Sequence, residues 1–236
     1  MNNIFISTKH KRVMLPYSGK VAALIPTALR HEWQGSGWLS VPHKVEETKL
    51  LNNIGYEVPS PILSQYGWSG VKAFDTQIST AAMLVSSKRG YVLNSIGTGK
   101  TCAALFAYDF LREQGVVKKC LVVAPLSTLT SVWEREVFTR FNHLECISLF
   151  GTKSKRAKLL QVPADIYVIN HDGIAVIRDE LAAMNFDVVI VDELAIYRNA
   201  GTKRWKLLQP LVSAAKYAWG MTGAPTPNEP TDAWGQ

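Results

Sequence analysis

Cysteine is scarce in this sequence. Cys102, Cys120 and Cys146 are the whole complement, an odd number with no Cys-x-x-Cys pair, and each lies among apolar neighbours. That excludes a disulfide framework and points to buried thiols in a reducing cytoplasm. Also absent is any apolar run near the ~20 residues that a membrane helix needs. The opening stretch, Met1 to His10, has no basic segment followed by an apolar one, so no secretory signal is expected and the chain is read as cytoplasmic, without a membrane partner. There is no convincing internal repeat and no low-complexity segment, which excludes repeat architectures. Acidic residues are outnumbered: 19 Asp and Glu stand against 26 Lys and Arg, a net charge of +7. That sign favours a polyanionic partner, because Lys and Arg near phosphates release condensed counterions.

What is present changes character near residue 70. Before it, Arg12–Leu15, Lys20–Ile25 and Trp38–Val41 read as strands, and Val45 to Asn53 as a short amphipathic helix with Val45, Leu50 and Leu51 apolar and Gly55 as its stop. Pro59, Pro61, Gly67 and Gly70 punctuate a connector. Residues 1–68 are therefore expected to form a small α+β accessory region that contacts DNA or a partner, and residues 69–236 a separate lobe. In that lobe short apolar runs recur at Tyr91–Leu93, Cys120–Val123, Ile147–Phe150, Ile166–Ile169, Val188–Val191 and Tyr217–Met221. They show too little polar alternation for a sheet with one wet face. Stretches of helical spacing separate them, such as Leu105, Tyr108 and Leu111, or Leu129, Val132, Trp133 and Val137. Buried strands alternating with helices predict a parallel α/β sheet covered on both faces.

The first of these strands runs into Asn94-Ser95-Ile96-Gly97-Thr98-Gly99-Lys100-Thr101. A phosphate chain needs a turn whose backbone N–H groups converge on it, and Gly97 and Gly99, around Thr98, allow that approach without side-chain collision. Lys100 supplies a charge for the β- and γ-phosphates of ATP, and Thr101 a hydroxyl for Mg²⁺. The motif usually begins with glycine, where this chain has Asn94. The strand Val188–Val191 ends in Asp192-Glu193, two acids where strand ends of a parallel sheet open onto a ligand crevice. In an ATPase the first acid holds Mg²⁺ and the second activates the attacking water. A third strand ends in Thr222-Gly223-Ala224-Pro225-Thr226-Pro227-Asn228. Three such loop signatures in order along one parallel sheet predict an NTPase with Lys100, Asp192 and Glu193 as its catalytic groups.

Taken with Ala124–Leu129, Trp133 and Glu134, and Arg198-Asn199, this ordered set resembles superfamily-two helicases of the Swi/Snf-like branch, most of all those encoded by bacteriophages. The resemblance covers residues 70–236 and extends to Pro42-His43 and Leu50–Tyr56. It implies a RecA-like lobe of a DNA helicase or translocase using ATP and Mg²⁺, placed in the host cytoplasm if phage-encoded. It implies adenine recognition by Gln77, and coupling of nucleotide state to nucleic-acid grip by Thr222 and Gly223. The family's first DNA-contact segment matches Pro125 to Thr128, with Ser127 and Thr128 meeting backbone phosphates, and Asn170-His171 matches a second. To these the residues themselves add a basic cluster, Lys153, Lys155, Arg156 and Lys158. Two positions depart from the family: Ala224 stands where Thr is common, and Leu194-Ala195 replaces Ala-His.

Such motors close their ATP site with a second RecA-like lobe, and no second phosphate loop follows Asn228. The expectation is thus one lobe, its partner lobe supplied by the full-length protein, acting on single-stranded, forked or branched DNA. Two other readings are weighed: a nucleotide-gated DNA-binding module without turnover, and a DNA-packaging motor. The Thr222–Asn228 segment argues against packaging, and a kinase or metabolic enzyme would need an acceptor site that the sequence does not offer.

Overall fold

The computed structural model describes residues 4–33 and 35–223, and the chain divides into two compact units, Met1–Lys72 and Ala73–Gln236. The first unit is an antiparallel sheet with short helices. Its strands are β1 (Phe5–Ser7), β2 (Arg12–Pro16), β3 (Leu29–Trp33) and β4 (Ser36–Pro42), in the order β1-β2-β4-β3. Val13 and Leu15 on β2 and Leu39 and Val41 on β4 pack with α1 (Gly19–Leu24), with Leu51 of α2 (Val45–Asn53) and with Val58. The turn α3 (Ile62–Gln65) follows.

The expected strand at Lys20–Ile25 is a helix. Ser18 caps it by accepting a hydrogen bond from the Val21 N–H at 3.4 Å, and Ala22-Ala23 favour a helical backbone once a cap is present. The expected helix at Val45–Asn53 forms, but its buried residues are Val45, Thr48 and Leu51, and Leu50 is exposed. Strands β1 and β3 lie at the edges of the sheet, and Leu29 and Phe5 are exposed; a strand wet on both faces has no alternation to read.

The second unit is a six-stranded sheet. Its elements are α4 (Asp75–Ser86), β5 (Arg89–Val92), α5 (Lys100–Glu113), β6 (Cys120–Ala124), α6 (Arg135–Arg140), β7 (Cys146–Ser148), α7 (Lys153–Leu160), β8 (Ile166–Asn170), α8 (Arg178–Ala183), β9 (Val188–Asp192), α9 (Lys203–Ala214) and β10 (Tyr217–Met221). Strand order is β5-β10-β9-β6-β8-β7, and every pairing is parallel. Side chains alternate across a strand. Leu121, Val123, Ile169, Val189 and Val191 meet Leu181 of α8 and Leu208 and Leu211 of α9 on one face. Val122, Val168 and Ile190 point the other way and are equally buried. There α5 is buried from Cys102 to Leu111, and its Tyr108 hydroxyl bonds the carbonyls of Lys118 and Asp165 beside the starts of β6 and β8. The unit is the parallel sheet with helices on both faces that the alternating pattern predicts, and it agrees with the RecA-like lobe that the resemblance implies. Among the described residues no helix is long and apolar enough to cross a membrane.

Candidate nucleotide and nucleic-acid site

The loop expected to bind phosphate spans the gap between β5 and α5. Gly97 and Gly99 hold φ of 82° and 76°, values that L side chains resist, and Gly99 turns the chain into the first residue of α5, Lys100. Beneath it lies Gln77 of α4, only 3% exposed; its carbonyl oxygen accepts from the Phe74 N–H at 2.9 Å, and a Cβ on Gly99 would run into its amide. Gln77 thus sits against the loop while it closes the start of its own helix. Asn94, at the position where glycine is usual, donates from its amide to Thr80 of α4 at 3.2 Å and moors the loop. The Lys100 ammonium donates to the carbonyls of Asn94 at 2.8 Å and Ser95 at 3.0 Å. Thr98 donates to the Ser95 carbonyl at 2.9 Å.

Register brings the other two signatures alongside. Met221 of β10 is paired with Val92 of β5 on one side and with Asp192 of β9 on the other. The three loops therefore leave the same edge of the sheet side by side. Glu193 takes a left-handed backbone, φ 54°, and its N–H donates to Asp192 Oδ1 at 3.0 Å. Asp192 Oδ2 accepts from the indole N–H of Trp133 at 3.1 Å. Burial pushes the Asp192 carboxyl above its ordinary pKa, and the bonds from Trp133 and Glu193 and the charge of Lys100 pull the other way. The buried Thr222 hydroxyl donates to Glu193 Oε1 at 3.0 Å. Gly223 lies so near the loop between β5 and α5 that a Cβ there would approach Ile96 Cγ1 to 2.9 Å. Residues 224–236, including Ala224–Asn228, lie outside the described residues.

A second group of segments forms farther along the same edge. Ala124 of β6 pairs with Asn170 of β8, which sets the Pro125–Thr128 turn beside the Asn170–Asp172 turn. Ser127 is exposed, while Pro125 and Thr128 are half-buried. The Thr128 hydroxyl donates to the Pro125 carbonyl at 3.0 Å. Between this turn and α7 opens a cleft of about 450 Å³ lined by Leu126, Thr130, Phe150 and Lys155.

A model of the SNF2-related domain matches residues 30–235. The chain belongs to that family. It is 32% identical over 163 residues to putative protein p41 of Acyrthosiphon pisum secondary endosymbiont phage 1, covering 65% of this chain and 35% of that protein. It is 32% identical over 146 residues to the ATP-dependent helicase fft1 of Schizosaccharomyces pombe, covering 59% of this chain and 15% of that protein. The chain thus spans about a third of the first relative and less of the second. Among solved structures, the Sulfolobus solfataricus SWI2/SNF2 ATPase core in complex with dsDNA superposes with a TM-score of 0.60 at 22% identity, over 70% of this chain and 35% of that one. That likeness speaks to the fold.

Two residues expected on the DNA face of this SNF2-related lobe lie inside it. Arg156 is buried, and its guanidinium donates to the carbonyls of Leu149 at 2.6 Å and Gly151 at 2.8 Å and to Asn170 Oδ1 at 3.1 Å. Helical period explains it: α7 turns Lys153, Lys155 and Lys158 outward and Arg156 inward. His171 is 7% exposed, its Nδ1 paired with the Tyr197 hydroxyl at 3.0 Å and its pKa lowered to about 4, chiefly by burial and then by Arg204. Asn170 is half-buried and serves as an acceptor for Arg156. Trp133, by contrast, reads in the sequence as a core position, and its indole reaches the acid pair. Nothing in its spacing separates it from Leu129 and Val132.

The donors fit Mg²⁺. Asp192 and Thr101 offer hard oxygens, and among the described residues no cluster of three or more His, Cys, Asp or Glu competes with them. Mg²⁺ bound largely through phosphates and water needs only one or two carboxylates.

Proposed function

We propose that this chain is the nucleotide-binding lobe of an ATP-driven DNA helicase or translocase, working in the cytoplasm. The observation that carries the reading is the pairing of Met221 with both Val92 and Asp192, which lines up phosphate loop, coupling segment and acid pair at one sheet edge. Lys100 leaves its loop carbonyls for the β- and γ-phosphates, and the N–H groups of Gly97, Thr98 and Gly99 close around them. Gln77 supports the loop on the adenine side. Thr101 and Asp192 hold Mg²⁺, which supplies positive charge against the phosphate oxygens. Glu193, aimed by Thr222, takes the proton of the attacking water. Backbone N–H and hydroxyl groups of the turn that follows Pro125, at Ser127 and Thr128, the half-buried Asn170 and the lysines of α7 meet DNA phosphates without reading bases. A second RecA-like lobe closes the site and carries Thr222 and Gly223 with it. An arginine finger from such a lobe is worth on the order of 10³–10⁵ in rate.

The test is nucleotide binding and turnover. Lys100→Ala should still fold and should lose ATP affinity at least about tenfold, the scale of a lost hydrogen bond from a charged group. Glu193→Gln should bind ATP and leave it unhydrolysed. Unchanged affinity in the first variant and unchanged turnover in the second would remove the reading.

A further inference from the structure

We infer that Trp133 is a positioning residue that ties the polynucleotide-contact turn Leu126–Thr128 to Asp192, so that a strand held at the turn is felt at the metal-holding acid. The inference rests on the function proposed above and names a part of its coupling. A buried indole N–H must find an acceptor. Trp133 is fully buried, and its N–H is directed at the carboxylate of a residue on another strand. The two oxygens of Asp192 are held from different sides: Oδ1 by the next N–H along the same chain, Oδ2 by Trp133. Only the second bond connects the acid to a different element.

The segment that carries Trp133 changes its helical pitch along its length. Leu126–Thr128 is a 3₁₀ turn, Leu129–Glu134 a π-helix, and Arg135–Arg140 an α-helix, so three helical pitches follow one another directly. The Arg135 N–H reaches back five residues to the Thr130 carbonyl. A π turn holds one residue more than the α-helix around it, and such turns cluster at functional sites. Leu126 is 56% exposed and Ser127 and Thr130 are open to solvent, whereas Leu129 and Trp133 face inward. One short segment thus presents its outer side to a polynucleotide and its inner side to Asp192. A shift of pitch on the outer side carries the indole relative to the carboxylate.

The experiment uses residues 1–236 labelled with ¹⁵N at the tryptophan indoles, of which the chain has 7. The Trp133 signal is the one missing in Trp133→Phe, and it is identified independently as the indole signal displaced in Asp192→Asn. It should move on adding Mg²⁺ with ADP, and separately on adding a short DNA duplex without nucleotide. Trp133→Phe should keep its affinity for ADP without metal within about twofold, while the tightening of that affinity by Mg²⁺ falls about tenfold, the scale of lost partners behind metal ligands. A bound duplex that leaves the Trp133 indole unmoved overturns the inference, and so does full Mg²⁺ tightening in Trp133→Phe. Should Trp133→Phe not fold, the wild-type titration decides alone. Failure of the wild-type chain to bind either ADP or duplex is a different result, which removes the functional reading and this inference with it.

Discussion

His171 is a residue whose surroundings decide its charge. Burial, and after it the charge of Arg204, lower its pKa from 6.5 to about 4, against a smaller opposing pull from Asp172, itself held by Arg204 at 2.7 and 2.9 Å. Well above pH 6.5 the imidazole is neutral in both the folded and the unfolded chain, and its titration costs the fold nothing. As pH falls from 6.5 toward 4 the unfolded chain takes up a proton that the folded chain refuses. Stability should therefore drop across that window by up to about 3 kcal/mol. Urea unfolding at pH 7 and pH 4.5 measures it, and His171→Gln should remove most of the His171 share. A loss of equal size in that variant would place the titrating group elsewhere. Leu194 shows the same dependence on context. It departs from the family pattern in sequence, and in the fold it belongs to the core beneath α9, packed so closely on Gly220 that a Cβ there would displace it.

Helix α7 separates two kinds of basic residue that its sequence runs together. Thr152 caps it by accepting from the Lys155 N–H at 3.3 Å, which fixes where the helix starts and hence which side each residue takes. Arg156→Ala would leave the Leu149 and Gly151 carbonyls without their donor, at a cost of roughly 2–3 kcal/mol in unfolding free energy. Lys153→Ala, Lys155→Ala and Lys158→Ala together should leave stability within about 0.5 kcal/mol. Denaturant melts of the two variants should thus differ clearly; equal melts would mean that the helix is turned otherwise. The same kind of local decision explains the helix at Gly19–Leu24, where an apolar run suited to a strand starts behind a serine cap. Runs such as Val188–Val191 leave no such choice, since β-branched residues bounded by turn signals pack best on a pleated surface.

For the whole molecule, the net charge of +7 does not say where an anion binds, whereas the fold sets Lys155 of α7 across a cleft from Leu126, with Lys153 and Lys158 exposed on the same helix. DNA affinity should fall with salt at a slope of about −0.9 per phosphate neutralised on duplex, and the triple lysine variant should be shallower by about 2–3. Fluorescence anisotropy across a salt series measures both slopes, and an unchanged slope would move the contact off α7. What the sequence by itself determined is the part written in short, contiguous pieces: the alternating apolar runs that specify a covered parallel sheet, the glycines that let Lys100 begin a helix at a turn, and the acids that end β9. Local spacing and backbone freedom are enough to specify these. Only the tertiary structure decided which side of α7 Arg156 takes, that His171 is enclosed by Tyr197, and that the Trp133 indole meets Asp192. Those contacts join residues far apart in the chain, and their partners are chosen by strand order and helix rotation, which no local pattern encodes.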